Sequence, residues 1–491
     1  MSIAFNTIPL VINTPGSYIE FDSSRAVQGL QLQPHNVLLV GNQLTSGSVA
    51  TAGSVYPIPS EASALALFGA HSQLYEMVKA YKAVDRLTPV WAIPLTDLVG
   101  GAKAVHKFTI VGTATASGSI AFYIAGRRFT ISVAVSDTAS ALVTAAVAAA
   151  AALTDLPVVC IDGSGDIVEC TAVHKGVFGN QIKLGVNLMV NESMPAGITV
   201  TITQGTTAGS GDSDHATAVT GMGEDQYNTV VCGCYTTTEI AKLVTEMESR
   251  ETAMRCIEGV LFGAVCDTTG NLATYAGSFN SSVLCMSGYE TSALCLTPWE
   301  VAAQIAAINA ASVQVDPARH QCGTSLSNAY AAARGTRFTR AQRDTLLGLG
   351  VSTLKANDSG GMCVERLVTT KITTSGLSDL ALFDLSPTVR TLHAIRYTIR
   401  ARIASKFANF KLADDDGIPR PKVATPSVVR AELVALFWEW FFSGWVENPD
   451  QYMADLLVER DSSDPNRVNA IIPPDIINSF LVFAGQISFI R

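Results

Sequence analysis

The sequence predicts a multidomain α/β protein: a split, doubly wound α/β core with an inserted β-rich domain and a C-terminal α+β domain. Three observations predict it. Strand and helix patterns alternate over residues 34–99. They alternate again from about residue 224. Between the two lies a stretch rich in Thr, Val, Ile, Ser and Gly, with short strands and turns. Alternating strands and helices imply a mainly parallel sheet with helices on its faces. A chain of 491 residues has room for about two to four such domains.

The elements follow in order. "HNVLLVGN" (35–42) is an apolar run of buried-strand length. "SEASALALFG" opens on Ser60, a capping residue, followed by Glu61 and Ala/Leu text. In "SQLYEMVKAYKAVD", Leu74, Met77, Val78 and Tyr81 share one helical face. "TPVWAIPL" returns a strand over Val90–Leu95. After Gly100-Gly101 the text becomes short strands turning at Gly118 and Gly126, then a small-residue helix capped by Asp137 or Thr138, then four more strands. The linker "GTTAGSGDSDHAT" ends this unit, so residues 102–207 read as an insertion into a domain formed by 29–101 and 208–365. The core resumes with strand "YNTVVCGCY", a helix capped near Thr238, strands "EGVLFGAV" and "SSVLCMSGYE", and a Thr-Pro helix start at Pro298. A hairpin is expected around Asn357–Gly361. Residues 366–475 read as a C-terminal domain with a long helix from about Pro387 to Lys411 and a second, starting near Pro426, that ends in aromatics.

Bulk properties exclude several classes. With 48% hydrophobic and 15% charged residues, the chain can bury a large core and does not read as disordered. A net charge of −9 provides no general attraction to nucleic acid. No signal peptide and no membrane-spanning run are visible. The ten cysteines are dispersed in apolar text and read as reduced, buried residues of a protein made in a cytoplasm.

Candidate catalytic and metal motifs fail on their partners. "CGTSLSNA" resembles the nucleophile turn of subtilisin-like proteases, with Ser325 at the nucleophile position. A catalytic serine needs a histidine base and an orienting carboxylate, and no histidine here sits in a His-Gly-Thr context. The stretch therefore reads as a turn between helices. "CGC" at Cys232–Cys234 ends an apolar strand without a second pair at zinc-site spacing, so it reads as core cysteine. "DDDG" at Asp414–Gly417 lacks the downstream Glu of a calcium loop and reads as a solvated turn. No phosphate-binding glycine motif occurs. The chain reads as a non-enzyme without metal or cofactor.

One charge pattern stands out. Arg390, Arg396, Arg400, Arg402 and Lys406 lie on the predicted long helix, and no acid occurs between Asp384 and Asp414. Like charges four residues apart repel mildly. The helix is either a solvated basic face or a docking surface for an acidic protein.

Both chain ends alternate like strands. The N-terminal "IPLVINTPGSYIEFDSSRA" and the C-terminal "IPPDIINSFLVFAGQISFI", with the split core and the "LGLGVSTL" hairpin entry, resemble the tail sheath protein of contractile-tailed bacteriophages, the Mu-like group in particular. The resemblance implies a six-start helical homopolymer of stacked hexameric rings around an inner tail tube. It is assembled in the host cytoplasm in a metastable extended state, and it contracts to drive the tube through the host envelope. It implies extended N- and C-terminal strand arms, residues 1–28 and 476–491, that add strands to neighbouring subunits. Pro15, Gly16, Tyr18, Ile19 and Phe21 would act in the first arm, and Phe480, Val482, Phe483, Ile487 and Phe489 in the second. The basic helix would face the tube, and the insertion would face outward. Further partners would be baseplate and tail terminator proteins, with no nucleic acid and no membrane insertion. A sheath of a phage-derived injection device is the alternative, and a serine hydrolase a more distant one.

Overall fold

A computed structural model of the chain describes residues 13–19, 30, 33–44, 49–415 and 420–490. The chain forms two compact units, Pro34–His393 with Asn478–Arg491, and Met1–Gln33 with Ala394–Ile477.

The larger unit opens with β1 (Val37–Asn42), β2 (Tyr56–Pro57), α1 (Glu61–Phe68), α2 (Gln73–Lys82) and β3 (Val90–Leu95). The interposed segment carries β4 (Lys103–Gly112), β5 (Gly118–Ile124), β6 (Arg127–Val133), α3 (Ala139–Ala151), β7 (Val158–Gly163), β8 (Ile167–Lys175), β9 (Leu184–Val186) and β10 (Ile198–Thr207). Then come α4 (Ala216–Met222), β11 (Thr229–Cys232), α5 (Thr237–Glu251), β12 (Val260–Cys266), α6 (Thr269–Ala276), β13 (Leu284–Tyr289), α7 (Pro298–Val315), β14 (Ser325–Tyr330), α8 (Arg340–Gly348), β15 (Val351–Ala356) and β16 (Gly361–Arg366).

Nine of these strands make one sheet in the order β14-β16-β15-β13-β12-β11-β1-β3-β2. Its centre is parallel, from β3 through β1, β11, β12 and β13 to β15. Every residue of β1 is buried. Val37 and Leu39 enter the core containing α2 and α7, while Leu38 and Val40 enter the one containing α5. A strand covered on both faces needs the unbroken apolar run seen in the sequence. Helix α7 is buried nearly all round from Pro298 to Ala310, and its alanines admit close packing. On α2, Leu74, Met77, Val78 and Tyr81 are fully buried. Ser60 caps α1 by accepting the Ser63 N–H.

The strands of residues 103–207 join none of that sheet. They form a four-stranded sheet, β10-β4-β8-β7, and a three-stranded one, β6-β5-β9. Helix α3 is capped by Thr138 and buries Leu142, Val143, Ala146 and Ala150 at helical spacing.

The structure corrects two expectations in this region of the fold. "SLSNAY" is the edge strand β14 rather than a turn between helices. Leu367, Leu385 and Val389 pack into the larger unit's core, and that unit runs on to His393. Two short strands, β17 (Thr373–Thr374) and β18 (Leu377–Ser378), lie between Leu367 and Leu385. Second, the long helix α9 spans Arg390–Lys406 only. Asn409 adopts φ 63°, and Lys411 pairs as a strand with Val423, so the chain has already left the helix.

The smaller unit contains the body of α9, β19 (Lys411–Leu412), β20 (Val423–Ala424), α10 (Pro426–Phe442), β21 (Val446–Glu447), α11 (Pro449–Asp455), β22 (Leu457–Arg460), β23 (Val468–Ile471) and β24 (Asp475–Ile476). Its core is aromatic: Phe437 stacks on Tyr452 at 4.1 Å, and the buried Trp440 donates its indole N–H to Thr398 Oγ1 at 3.0 Å. Among the described residues its sheets are two-stranded: β19 with β20, β21 with β24 and β22 with β23.

Candidate functional site: a plugged crevice and two uncovered ends

In an open α/β sheet, ligands bind outside the carboxyl ends of the strands where the chain reverses its winding direction. Here that point lies between β1 and β11, because β3 is added on one side of β1 and β11 on the other. Side chains of the same chain fill it. Gln73, at the start of α2, accepts the Asn42 N–H at 2.9 Å and donates to the Gly233 carbonyl at 2.7 Å. A Cβ on Gly233 would lie 2.9 Å from the end of the Gln73 side chain, so a larger residue there would displace that amide and its two hydrogen bonds. Asn42 donates to Asp97 at 2.8 Å. His174, the penultimate residue of β8, lies with Nδ1 2.8 Å from Asp97, while its Nε2 accepts the Gln73 N–H. Burial pushes the Asp97 carboxyl up, but His174, the Lys175 N–H and Asn42 together outweigh this and hold it below the usual range. The Ser213 hydroxyl sits 3.0 Å from Asn42 Oδ1 and 2.7 Å from the Thr96 carbonyl. The interposed segment and its return linker thus occupy the place of a substrate.

The linker also brings His215 to the "CGC" motif. His215, Cys232 and Cys234 are all buried, with their ligand atoms within 4.8 Å of one another. Burial pushes the Cys232 thiol up, but Cys234 and His215 beside it reverse the shift and hold it down. Sequence spacing could not show this group, because His215 lies in a polar linker and the cysteines at the end of a strand.

Ser325 is exposed on β14, and its Oγ lies 3.2 Å from the Asn357 amide. Asp414 pairs with Arg460 at 3.1 Å, and Asp415 accepts the Ser427 N–H and hydroxyl at the start of α10. Asp416 and Gly417 lie outside the described residues.

The basic residues of α9 do not share one exposed face. Arg390 is 2% exposed and donates to Asn309 Oδ1, the Asn228 carbonyl and Thr229 Oγ1 at 2.6–2.9 Å. It is a core cation of the larger unit, with its guanidinium over the Phe262 ring. This corrects its assignment to a docking surface: three buried acceptors hold it inside. Arg402 donates to both oxygens of Glu439 at 2.6 Å, and Lys406 pairs with Glu432 at 2.5 Å. The acids missing from the local sequence thus come from α10. Arg396 is half-buried and Arg400 exposed.

At the N-terminal end, Pro15, Gly16, Tyr18 and Ile19 are exposed, with the Tyr18 hydroxyl donating to the Thr14 carbonyl. Phe21 lies outside the described residues. At the other end, β24 pairs with β21, and residues 477–490 then run without helix or strand. Phe480, Val482, Phe483, Ile487 and Phe489 are between 77% and 93% exposed.

An α/β sheet whose ligand crevice is filled by its own chain, beside an uncovered apolar tail, points to a structural assembly protein. Comparisons specify which. A model of the phage tail sheath protein central domain matches residues 208–370, and one of the phage tail sheath C-terminal domain matches residues 381–490. The Mu-like prophage FluMu tail sheath protein of Haemophilus influenzae is 35% identical over 493 residues, covering 100% of each chain. The solved sheath tail protein of Listeria innocua is similar in fold, with a TM-score of 0.50 at 13% identity, over 91% of this chain and 93% of that one. That of Desulfitobacterium hafniense has a TM-score of 0.49 at 13% identity, over 94% and 100%. The chain belongs to the phage tail sheath family, a family of structural proteins.

Proposed function

We propose that this chain is the subunit of a contractile tail sheath, joined to its neighbours by exchange of terminal strands. It polymerises helically around an inner tail tube in a metastable extended state and shortens to push the tube through the host envelope. Its place is the tail of a virion, with assembly in the host cytoplasm. Residues 1–28 and 476–491 act as the arms, residues 102–207 face outward, and the exposed part of α9 around Arg396 and Arg400 faces the tube.

The observation that carries this reading is the C-terminal tail. Five large apolar residues exposed in one short extended segment require a cover. Adding the tail as a strand to a neighbour's sheet covers them and also pairs the backbone groups. The smaller unit has suitable acceptors, since two-stranded sheets are marginal alone and gain from a third strand. Such links let whole subunits rotate while the mesh stays connected. A few kcal/mol released per subunit, summed over many copies, drives the stroke without a nucleotide site.

The test is deletion of residues 478–491. The full chain should form long striated tubes by negative-stain microscopy. The truncated chain should keep its circular dichroism and sediment as a monomer. Normal tubes from the truncated chain would refute strand exchange at this end. Arg396→Glu with Arg400→Glu should weaken co-assembly on the tube at low salt, and unchanged binding would remove α9 from that contact.

A further inference from the structure

We infer that His215, Cys232 and Cys234 form a binding site for a thiophilic d10 cation, Zn²⁺ or Cu⁺, that fastens the linker returning from the interposed segment to the end of β11. The three side chains come from two separated parts of the chain and are between 2% and 8% exposed. The two thiol sulfurs are 3.0 Å apart across Gly233.

The histidine is already set for ligation. Its Nδ1 lies 2.8 Å from the Ser213 carbonyl, which can only accept, so Nδ1 carries the proton. In the neutral ring the lone pair is then on Nε2, a buried atom without an oxygen or nitrogen partner that faces the Cys232 thiol. A buried acceptor left unmatched is costly. A ring nitrogen bonded to a backbone carbonyl on one side and free on the other is the usual arrangement of a metal-bound histidine. Bond lengths of about 2.0–2.1 Å to nitrogen and 2.3 Å to sulfur place the ligands of one ion roughly 3–4 Å apart. The observed group, within 4.8 Å, needs only small side-chain movements to reach that.

The chemistry of the donor set selects the ion. Two thiols and one imidazole favour soft or borderline cations over calcium or magnesium. Binding Zn²⁺ converts both thiols to thiolates and releases two protons to solvent, leaving a neutral buried centre; Cu⁺ leaves a single negative charge. The carboxylates nearby hold other partners. Asp212 accepts from Val177 N and Thr236 N, and Glu239 accepts the His215 N–H. They add negative field without being ligands. The consequence is mechanical: an ion here cross-links the sheet to the linker just before α4. This inference stands apart from the strand-exchange reading, because it concerns one subunit and needs no assembly.

The test uses the full chain, purified under reducing conditions, incubated separately with zinc or with copper(I), desalted and analysed by elemental mass spectrometry. Equimolar retention of either ion is expected, and the two arms distinguish them. Cobalt(II) should give a sulfur-to-metal charge-transfer absorption. Both signals should vanish in His215→Gln and Cys232→Ser and persist in Cys322→Ser, whose thiol is exposed. If the cobalt band is present in the wild type, it supports the site even where a ligand variant fails to fold. No retained ion in the wild type, equal retention by a folded His215→Gln, or a Cys232–Cys234 disulfide in the protein as purified would overturn the proposal.

Discussion

Replacing Arg127 with alanine should destabilise the larger unit by about 3–5 kcal/mol, the range for stripping one partner from a buried ion pair. Arg127 and Glu300 are 11% and 5% exposed and meet through two parallel bonds of 2.6 and 2.5 Å. Each charge-assisted bond lost with its partner left behind costs about 1.5–3 kcal/mol, so two bonds account for the range. Relief of the arginine's own desolvation offsets part of it. What remains is worse than a single orphan. Glu300 keeps only the Thr297 N–H and hydroxyl, and Glu76 lies nearby, fully buried, with one donor, the Trp299 indole at 2.8 Å. For Arg127, burial alone would push the pKa down, and Glu300 more than reverses that. The assay is urea unfolding of the unassembled chain, followed by fluorescence and circular dichroism. Arg127→Met combined with Glu300→Gln should recover much of the loss, giving a coupling energy of about 2 kcal/mol or more. A cost for Arg127→Ala under about 1 kcal/mol, the value of a surface pair, would refute the claim that this cluster holds β6 to α7.

Three other substitutions test the electrostatics. Burial, then the Glu300 charge, raises the Glu76 carboxyl well above the ordinary glutamate value of 4.5, against the lowering effects of Arg127 and the Trp299 bond. A raised acid destabilises the fold as pH climbs above the unfolded value, so Glu76→Gln should gain on the wild type from about pH 4.5 upward, by about 1.4 kcal/mol per pH unit until the folded pKa is reached. Melting temperatures of both proteins across pH would show this, and a pH-independent difference would refute it. On α9, Arg402→Ala should cost about 1–2 kcal/mol and Lys406→Ala about 0.5 or less, because Arg402 is one-fifth exposed with a two-oxygen contact and Lys406 is 53% exposed. Equal losses in thermal unfolding would contradict that ordering.

Much of the scaffold is legible in the residues alone. The apolar run of β1, the one-sided face of α2 and the Thr-Pro start of α7 are local patterns, and each element forms where its pattern lies. The apolar residues of the C-terminal tail are equally plain in the sequence, although residues 477–490 form no strand within the chain. Other features need the fold. β14 is short and polar, so no period marks it as an edge strand. Arg390 has the same charge as Arg402, but one enters the core and the other meets Glu439; only packing separates them. Cys232 and Cys234 read as core residues until the linker delivers His215, because spacing along the chain says nothing of distance between a strand end and a returning loop. The sequence by itself determined the α/β scaffold and the apolar C-terminal tail, since both follow from the local pattern of apolar residues. Tertiary structure alone decided which charges are buried, which cysteines find a histidine, and that the crevice at the strand ends is filled from within, since each depends on contacts between residues far apart in the chain.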